Sequence, residues 1–106
     1  MPIVHPVFLS LGSNIAPERH LPLAVARLQL LGDVLAASRV WQSPPADGSE
    51  QSHYLNAAVL LATEATAEEL YGCRLPEIET ALGRLRDPGD RYAPRTIDID
   101  ISLFDR

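Results

Sequence analysis

Asp98 and Asp100 stand two apart in Ile97-Asp98-Ile99-Asp100-Ile101, and Arg84, Arg86, Arg91 and Arg95 lie just before them. Strict alternation of this kind marks a strand, whose successive side chains point to opposite faces. The two carboxylates therefore share one face and the three isoleucines the other. Neighbours on one strand face are close enough for one cation to bridge. Mg²⁺ is commonly held by one or two carboxylates completed by water and phosphate oxygens. Guanidinium forks grip phosphate in bidentate fashion and keep their charge. Carboxylates and arginines so placed point to metal-assisted handling of a polyphosphate. The same residues also fit a plainer description, a half-buried strand with a wet face preceded by surface charge.

Composition narrows the chemistry. All nine basic residues are arginine. Without lysine neither a P-loop nor a lysine Schiff base can form, so a phosphate site must use arginine, backbone N–H groups or metal. A formal net charge of −5 argues against a nucleic-acid partner. Cys73 stands alone, which leaves no internal disulfide and no zinc cluster; it reads as a small core or helix-face residue. No apolar run nears the roughly twenty residues of a membrane span, and no signal peptide is visible. A cytoplasmic protein without a membrane partner is the expectation. At 106 residues, one domain spanning 1–106 with one modest core is expected.

The elements that must position these groups follow from periodicity and punctuation. Val7 to Leu11 is a short apolar run closed by the turn signal Gly12-Ser13-Asn14. Leu21, Val25 and Leu28 carry a helical stripe between Pro17 and Leu31, with Gly32 as its stop. Pro17 and Pro22 compete for the first turn of that helix. Val34 to Gln42 reads as a second strand, broken by Ser43-Pro44-Pro45-Ala46-Asp47-Gly48-Ser49. His53 to Thr63 reads as a third strand, with Tyr54 and Asn56 on one face. Thr66-Ala67-Glu68-Glu69 is a capping box that opens a second helix. Pro76 predicts either a break there or two consecutive helical pieces. The Ile/Asp strand comes last. The order strand, helix, strand, strand, helix, strand is that of an α+β, ferredoxin-like βαββαβ sandwich with an antiparallel sheet. The last strand is expected centrally, beside the first.

Several motifs now stand in one order: Gly12-Ser13-Asn14, Ser43-Pro44-Pro45, Tyr54-Leu55-Asn56-Ala57-Ala58-Val59, Glu79, Gly83-Arg84, Arg86 and Pro94-Arg95-Thr96-Ile97-Asp98-Ile99-Asp100. Together they resemble the 6-hydroxymethyl-7,8-dihydropterin pyrophosphokinase family of folate biosynthesis, over nearly the whole chain. The resemblance implies transfer of diphosphate from ATP to the pterin hydroxymethyl group, with release of AMP. It implies that Asp98 and Asp100 bind two Mg²⁺ ions, and that Arg84 and Arg95 stabilise the transferring group. Glu79, Arg86 and Arg91, with Arg84 and Arg95, become the ATP-side residues. Tyr54 would stack on the pterin and Asn56 hydrogen-bond its edge. Ser43, Pro44 and Ala46 match backbone contacts to the pterin, and Asn14 a loop residue near it. A flat heterocycle with amide-like edges suits one aromatic face and one asparagine. Read alone, Tyr54 is a packing aromatic, Trp41 a core or rim residue, and His5, His20 and His53 are non-ligands.

Some features depart from the family. Pro88-Gly89 lengthens the arginine loop, Tyr92 stands where tryptophan is frequent, and Ala93 replaces a glycine. The family normally continues past the aspartate strand into a segment with a His-Pro-His-like motif, a further arginine and a second stacking aromatic; a short form is expected. Three readings follow: a compact pyrophosphokinase, a catalytically weak or inactive pterin- or nucleotide-binding module, and a structural domain. Strand parity places Ala58, Leu60 and Phe104 on the face of Tyr54, Asn56, Asp98 and Asp100. An uncovered apolar patch there implies a homodimer.

Overall fold

A computed structural model describes residues 3–48, 51–84, 89 and 94–105. Arg86 and Arg91, both expected at the site, lie outside the described residues. The element order is β1 (His5–Ser13), α1 (Pro17–Leu28), β2 (Gly32–Ala37), β3 (Trp41–Ser43), β4 (Tyr54–Thr63), α2 (Ala67–Glu69), a π-helical turn (Leu70–Arg74), α3 (Leu75–Ala81) and β5 (Asp98–Phe104). The strands form one antiparallel sheet in the order β2-β4-β1-β5, with β3 also paired to β4. The last strand does lie beside the first, but at the sheet's edge rather than centrally. The centre belongs to β1 and β4.

One sheet face is dry. Val7, Leu9, Leu11, Val59, Leu61, Ile97 and Ile99 meet Leu21, Ala24, Leu28, Leu70, Leu75 and Ile78 from the helices in one core. The isoleucine half of the Ile/Asp alternation is thus used as its period demands. Among the described residues, no helix is long and apolar enough to cross a membrane.

Five local outcomes differ from the sequence reading or resolve it. Pro17 takes the first turn of α1, and Pro22 sits inside the helix. The carbonyl that Pro22 cannot bind belongs to Glu18, an exposed residue. Pro76 stands in the first turn of the second of two consecutive helical pieces, α2 and α3, which the π turn joins. The π turn before it, with Leu75 N–H bonded to Leu70 O, widens the backbone where the proline ring would otherwise press on it. The expected second strand divides into β2 and β3. At the gap, Ser38 N–H donates to Ala58 O at 2.8 Å, while Ser38 Oγ replaces a backbone acceptor for Ala58 N–H, also at 2.8 Å. Gly32 begins β2 rather than merely ending the helix: a Cβ there would lie 2.0 Å from Ala62 O, so only glycine permits this approach of the strands.

The fifth is a reversal. The β1–β5 register slips between Phe8 and Leu9, so that Leu9 faces Ile101 but Phe8 faces Leu103. One extra residue on β5 flips everything beyond it. Phe104 therefore packs on the core, and Leu103 takes its expected place on the open face.

Candidate active site

The open face carries a row of residues set by strand pairing. Gly12 on β1 faces Asn56 on β4 and Asp98 on β5, and Trp41 on β3 faces Asn56. The next row has Ser10 between Ala58 and Asp100. Two strand spacings, roughly 10 Å, separate Asn56 from Asp98, with no side chain between them. A Cβ on Gly12 would stand 3.2 Å from Asn56 Oδ1 and 3.5 Å from Tyr54 Cδ1, so the glycine keeps a floor clear. The sequence reading treated Gly12 only as a turn signal. Its role belongs to the register, which periodicity does not reveal.

Asn56 is oriented by β3. Its Nδ2 donates to Ser43 Oγ at 2.9 Å and to Trp41 O at 3.2 Å. Both donor hydrogens are thus spent, and Oδ1 is left over Gly12 as an acceptor. Tyr54 lies on the same face, half-buried, and burial pushes its phenol above the ordinary range against the opposing pull of Arg95. Ser43 closes β3; Pro44 and Ala46 are exposed in the loop beyond it, which Gly48 N–H pins to Pro45 O at 3.1 Å. Trp41 is 49 % exposed, a rim residue.

The charged half is built from the end of α3. Leu82 caps that helix, and Gly83 follows with φ 87°. Gly83 N–H bonds Thr80 O and Arg84 N–H bonds Glu79 O, each at 3.0 Å. This paired closure is a Schellman motif, and its left-handed residue is best served by glycine. It turns Arg84 back beneath the helix. Arg84 Nη1 then reaches Glu79 Oε2 at 2.8 Å and Asp98 Oδ1 at 3.0 Å. Arg95 Nη1 takes the other oxygen, Asp98 Oδ2, at 3.1 Å. Glu79 Oε2 also accepts Ile99 N–H at 2.9 Å, which satisfies an edge-strand donor that would otherwise lie unpaired in the protein.

Asp98 thus has an arginine on each oxygen, whereas Asp100 has the like charge of Asp98 beside it. Burial raises the Asp100 carboxyl above the ordinary range, and the Asp98 charge adds to it; Arg84 and Arg95 oppose the shift. A raised folded-state value means that the folded chain holds the proton more tightly than the unfolded chain. Asp100 therefore favours the fold as pH falls from its raised value towards the ordinary 3.8, and weighs against it above that window. Beside the pair, Tyr71, Pro76, Glu79, Arg84, Asp98 and Asp100 line a cleft of about 330 Å³. Thr96 Oγ1, between Arg95 and the strand, is buried with no hydrogen-bond partner.

The expected residues Glu79, Arg84, Arg95, Asp98 and Asp100 therefore come together, and Tyr54, Asn56 and Ser43 share the open face with them. Asn14 lies at its margin with its amide engaged by other chain segments. Cys73 is exposed on the π turn, and its hydrogen bond to Glu77 pushes the thiol up, away from reactivity.

The model of the 7,8-dihydro-6-hydroxymethylpterin-pyrophosphokinase family matches residues 8–105. The chain belongs to that family. It is 38% identical over 101 residues to the 2-amino-4-hydroxy-6-hydroxymethyldihydropteridine pyrophosphokinase of Mycobacterium tuberculosis, covering 90% of this chain and 49% of that one. The protein of the same name from Methylorubrum extorquens is 39% identical over 102 residues, covering 92% of this chain and 62% of the relative. For that of Bacillus subtilis the figures are 37% over 102 residues, 93% and 59%. The chain thus spans between half and two thirds of these relatives. In fold it resembles Plasmodium falciparum HPPK-DHPS, solved with pterin and p-hydroxybenzoate, at TM-score 0.70 and 16% identity over 99% of this chain and 28% of that one. Membership of the pyrophosphokinase family agrees with the motif order read from the sequence.

Glu79 is the structural keystone of the charged half. Glu79→Ala would leave Arg84, whose side chain is 8% exposed, with Asp98 but without its α3 partner, and orphan Ile99 N–H. We expect a loss of about 1–3 kcal/mol in urea unfolding, the usual cost of a buried donor left unsatisfied, because Asp98 still compensates the Arg84 charge. Glu79→Gln, which keeps an acceptor for Ile99, should cost less.

Proposed function

We propose that the chain carries the family's chemistry: ATP-dependent transfer of diphosphate to the hydroxymethyl group of 6-hydroxymethyl-7,8-dihydropterin, with release of AMP. The observation that carries this reading is the clear floor at Gly12, with the Asn56 acceptor at one end and the arginine-held Asp98 at the other. A flat heterocycle on that floor presents its N–H edge to Asn56 Oδ1 and its face to Tyr54, and sends its hydroxymethyl arm towards Asp98. Ser43, Pro44 and Ala46 bound that end. ATP occupies the cleft beside β5, near Glu79, Arg84 and Arg95; Arg86 and Arg91 belong to the same side by family resemblance.

Arg84 and Arg95 are held on Asp98 until a better partner arrives. Phosphate oxygens offer one, in bidentate geometry. The acceptor hydroxyl oxygen bonds to Pβ, the bond from Pβ to the oxygen bridging Pα breaks, AMP leaves with that electron pair, and the hydroxyl proton passes to water. Little covalent help is needed; positioning and charge neutralisation do the work. Asp98 and Asp100 fit Mg²⁺: their oxygens are hard donors on one strand face, and a divalent cation there would offset the burial and like charge that raise the Asp100 carboxyl. Bound there, two Mg²⁺ ions would neutralise phosphate charge and acidify the acceptor hydroxyl. The cytoplasm, which supplies ATP, is the setting. Purified chain with Mg²⁺, ATP and the pterin should form AMP, and Asp98→Ala or Asp100→Ala should abolish it while the fold persists. Equal AMP from the wild type and both variants would overturn the assignment.

The open face also supports a homodimer. Phe8 is 37% and Leu103 50% exposed, beside Ala36, Ala58 and Leu60, an apolar end suited to a two-fold contact. Sedimentation at micromolar concentration should give a dimer that Leu103→Asp dissociates. A clean wild-type monomer would remove the dimer.

A further inference from the structure

Asn14 is 6% exposed, one residue past β1, and its amide is spent on two other parts of the chain. Oδ1 accepts Arg95 N–H at 2.7 Å, and Asn14 N–H donates to Arg95 O at 3.1 Å. Two bonds to one residue hold its backbone as a β-bridge would. Nδ2 donates to Gln51 Oε1 at 2.6 Å and to Ser52 O at 3.2 Å. The amide has one workable orientation, because a flipped NH₂ would face the Arg95 N–H. Both donor hydrogens are used, so none is left for a ligand.

These partners belong to different halves of the site. Arg95 delivers its guanidinium to Asp98 Oδ2. Gln51 and Ser52 lead directly into Tyr54 and Asn56 on β4. We propose that Asn14 is a positioning residue that couples the two halves, holding Arg95 at the phosphoryl side while it holds the 51–52 segment at the pterin side. The proposal rests on the pyrophosphokinase reading above. It makes each ligand's binding sensitive to the other, by the same factor in both directions.

Three measurements on the wild type, Asn14→Ala and Asn14→Asp test this. Calorimetry gives pterin affinity with and without Mg²⁺ and α,β-methylene ATP, whose Pα–Pβ link cannot break. Steady-state kinetics separate kcat from KM. Amide hydrogen exchange follows Arg95 N–H. The analogue should tighten pterin binding to the wild type and lose most of that effect in both variants. Asn14→Ala should lower kcat roughly 10- to 100-fold, the scale of a small misplacement of a catalytic group. Asn14→Asp keeps an acceptor for Arg95 N–H but loses both donors, so kcat should largely recover while the coupling stays lost. Unchanged kcat and coupling in Asn14→Ala, or a loss confined to pterin affinity, would overturn the proposal. If Asn14→Ala does not fold, Asn14→Asp decides: full coupling in that variant contradicts the proposal. If the wild type forms no AMP, the function reading fails by itself. Arg95 exchange still judges the clamp, which slow exchange in the wild type and Asn14→Asp supports and fast wild-type exchange refutes.

Discussion

One guanidinium ties the working end of the molecule together. Arg84 Nη1 lies between Glu79 from α3 and Asp98 from β5, nearly out of reach of water. A buried charge is tolerated only where opposite charge and hydrogen bonds compensate it. Glu79 must therefore be buried beside Arg84, and that forces α3 to end where it does. Gly83 supplies the turn, and the same Glu79 secures the outer edge of β5 through Ile99 N–H. Helix end, edge strand and aspartate pair are thus parts of one electrostatic arrangement.

That arrangement leaves an imbalance at the surface. Two arginines satisfy Asp98, and the Asp98 charge adds to the burial that raises the Asp100 carboxyl. Two adjacent carboxylates facing the same side, one of them holding its proton above the usual range, are poised to receive positive charge. Across the sheet, Asn56 has the opposite character: its donors are spent on β3, and its oxygen is free to accept. Gly12 between them adds nothing, and its smallness is its contribution. The two ends communicate through Asn14, whose partners lie 37 and 81 residues away in sequence.

Those separations show what was legible beforehand. Asp98, Asp100 and their shared face followed from a period of two. Arg84 stood among the four arginines just before the aspartate strand, and the opening of the second helix followed from the Thr66–Glu69 box, all local signals. The motif order then carried the family, and with it Tyr54, Asn56 and Ser43. The row through Trp41, Asn56, Gly12 and Asp98 was not legible, because it depends on the registers of four strands at once. Nor was the edge position of β5, which was expected at the centre of the sheet. The fate of Phe104 hung on one extra residue in β5: Ser102-Leu103-Phe104 is compatible with either parity, and only the slip against Phe8 and Leu9 chooses. Pro76 was recognised as a problem, but its remedy, a π turn, is a backbone adjustment that no residue type announces.

The charge that the protein sets in place at Asp98 and Asp100 is what a divalent cation and phosphate would resolve. Carboxyl-carbon NMR titration of Asp98 and Asp100, with and without Mg²⁺, tests it most directly. Asp100 should lose its proton above the ordinary aspartate range in metal-free protein, and Mg²⁺ should shift that transition to lower pH, because the cation competes with the proton. An Asp100 that titrates at the ordinary value and ignores Mg²⁺ would contradict the account.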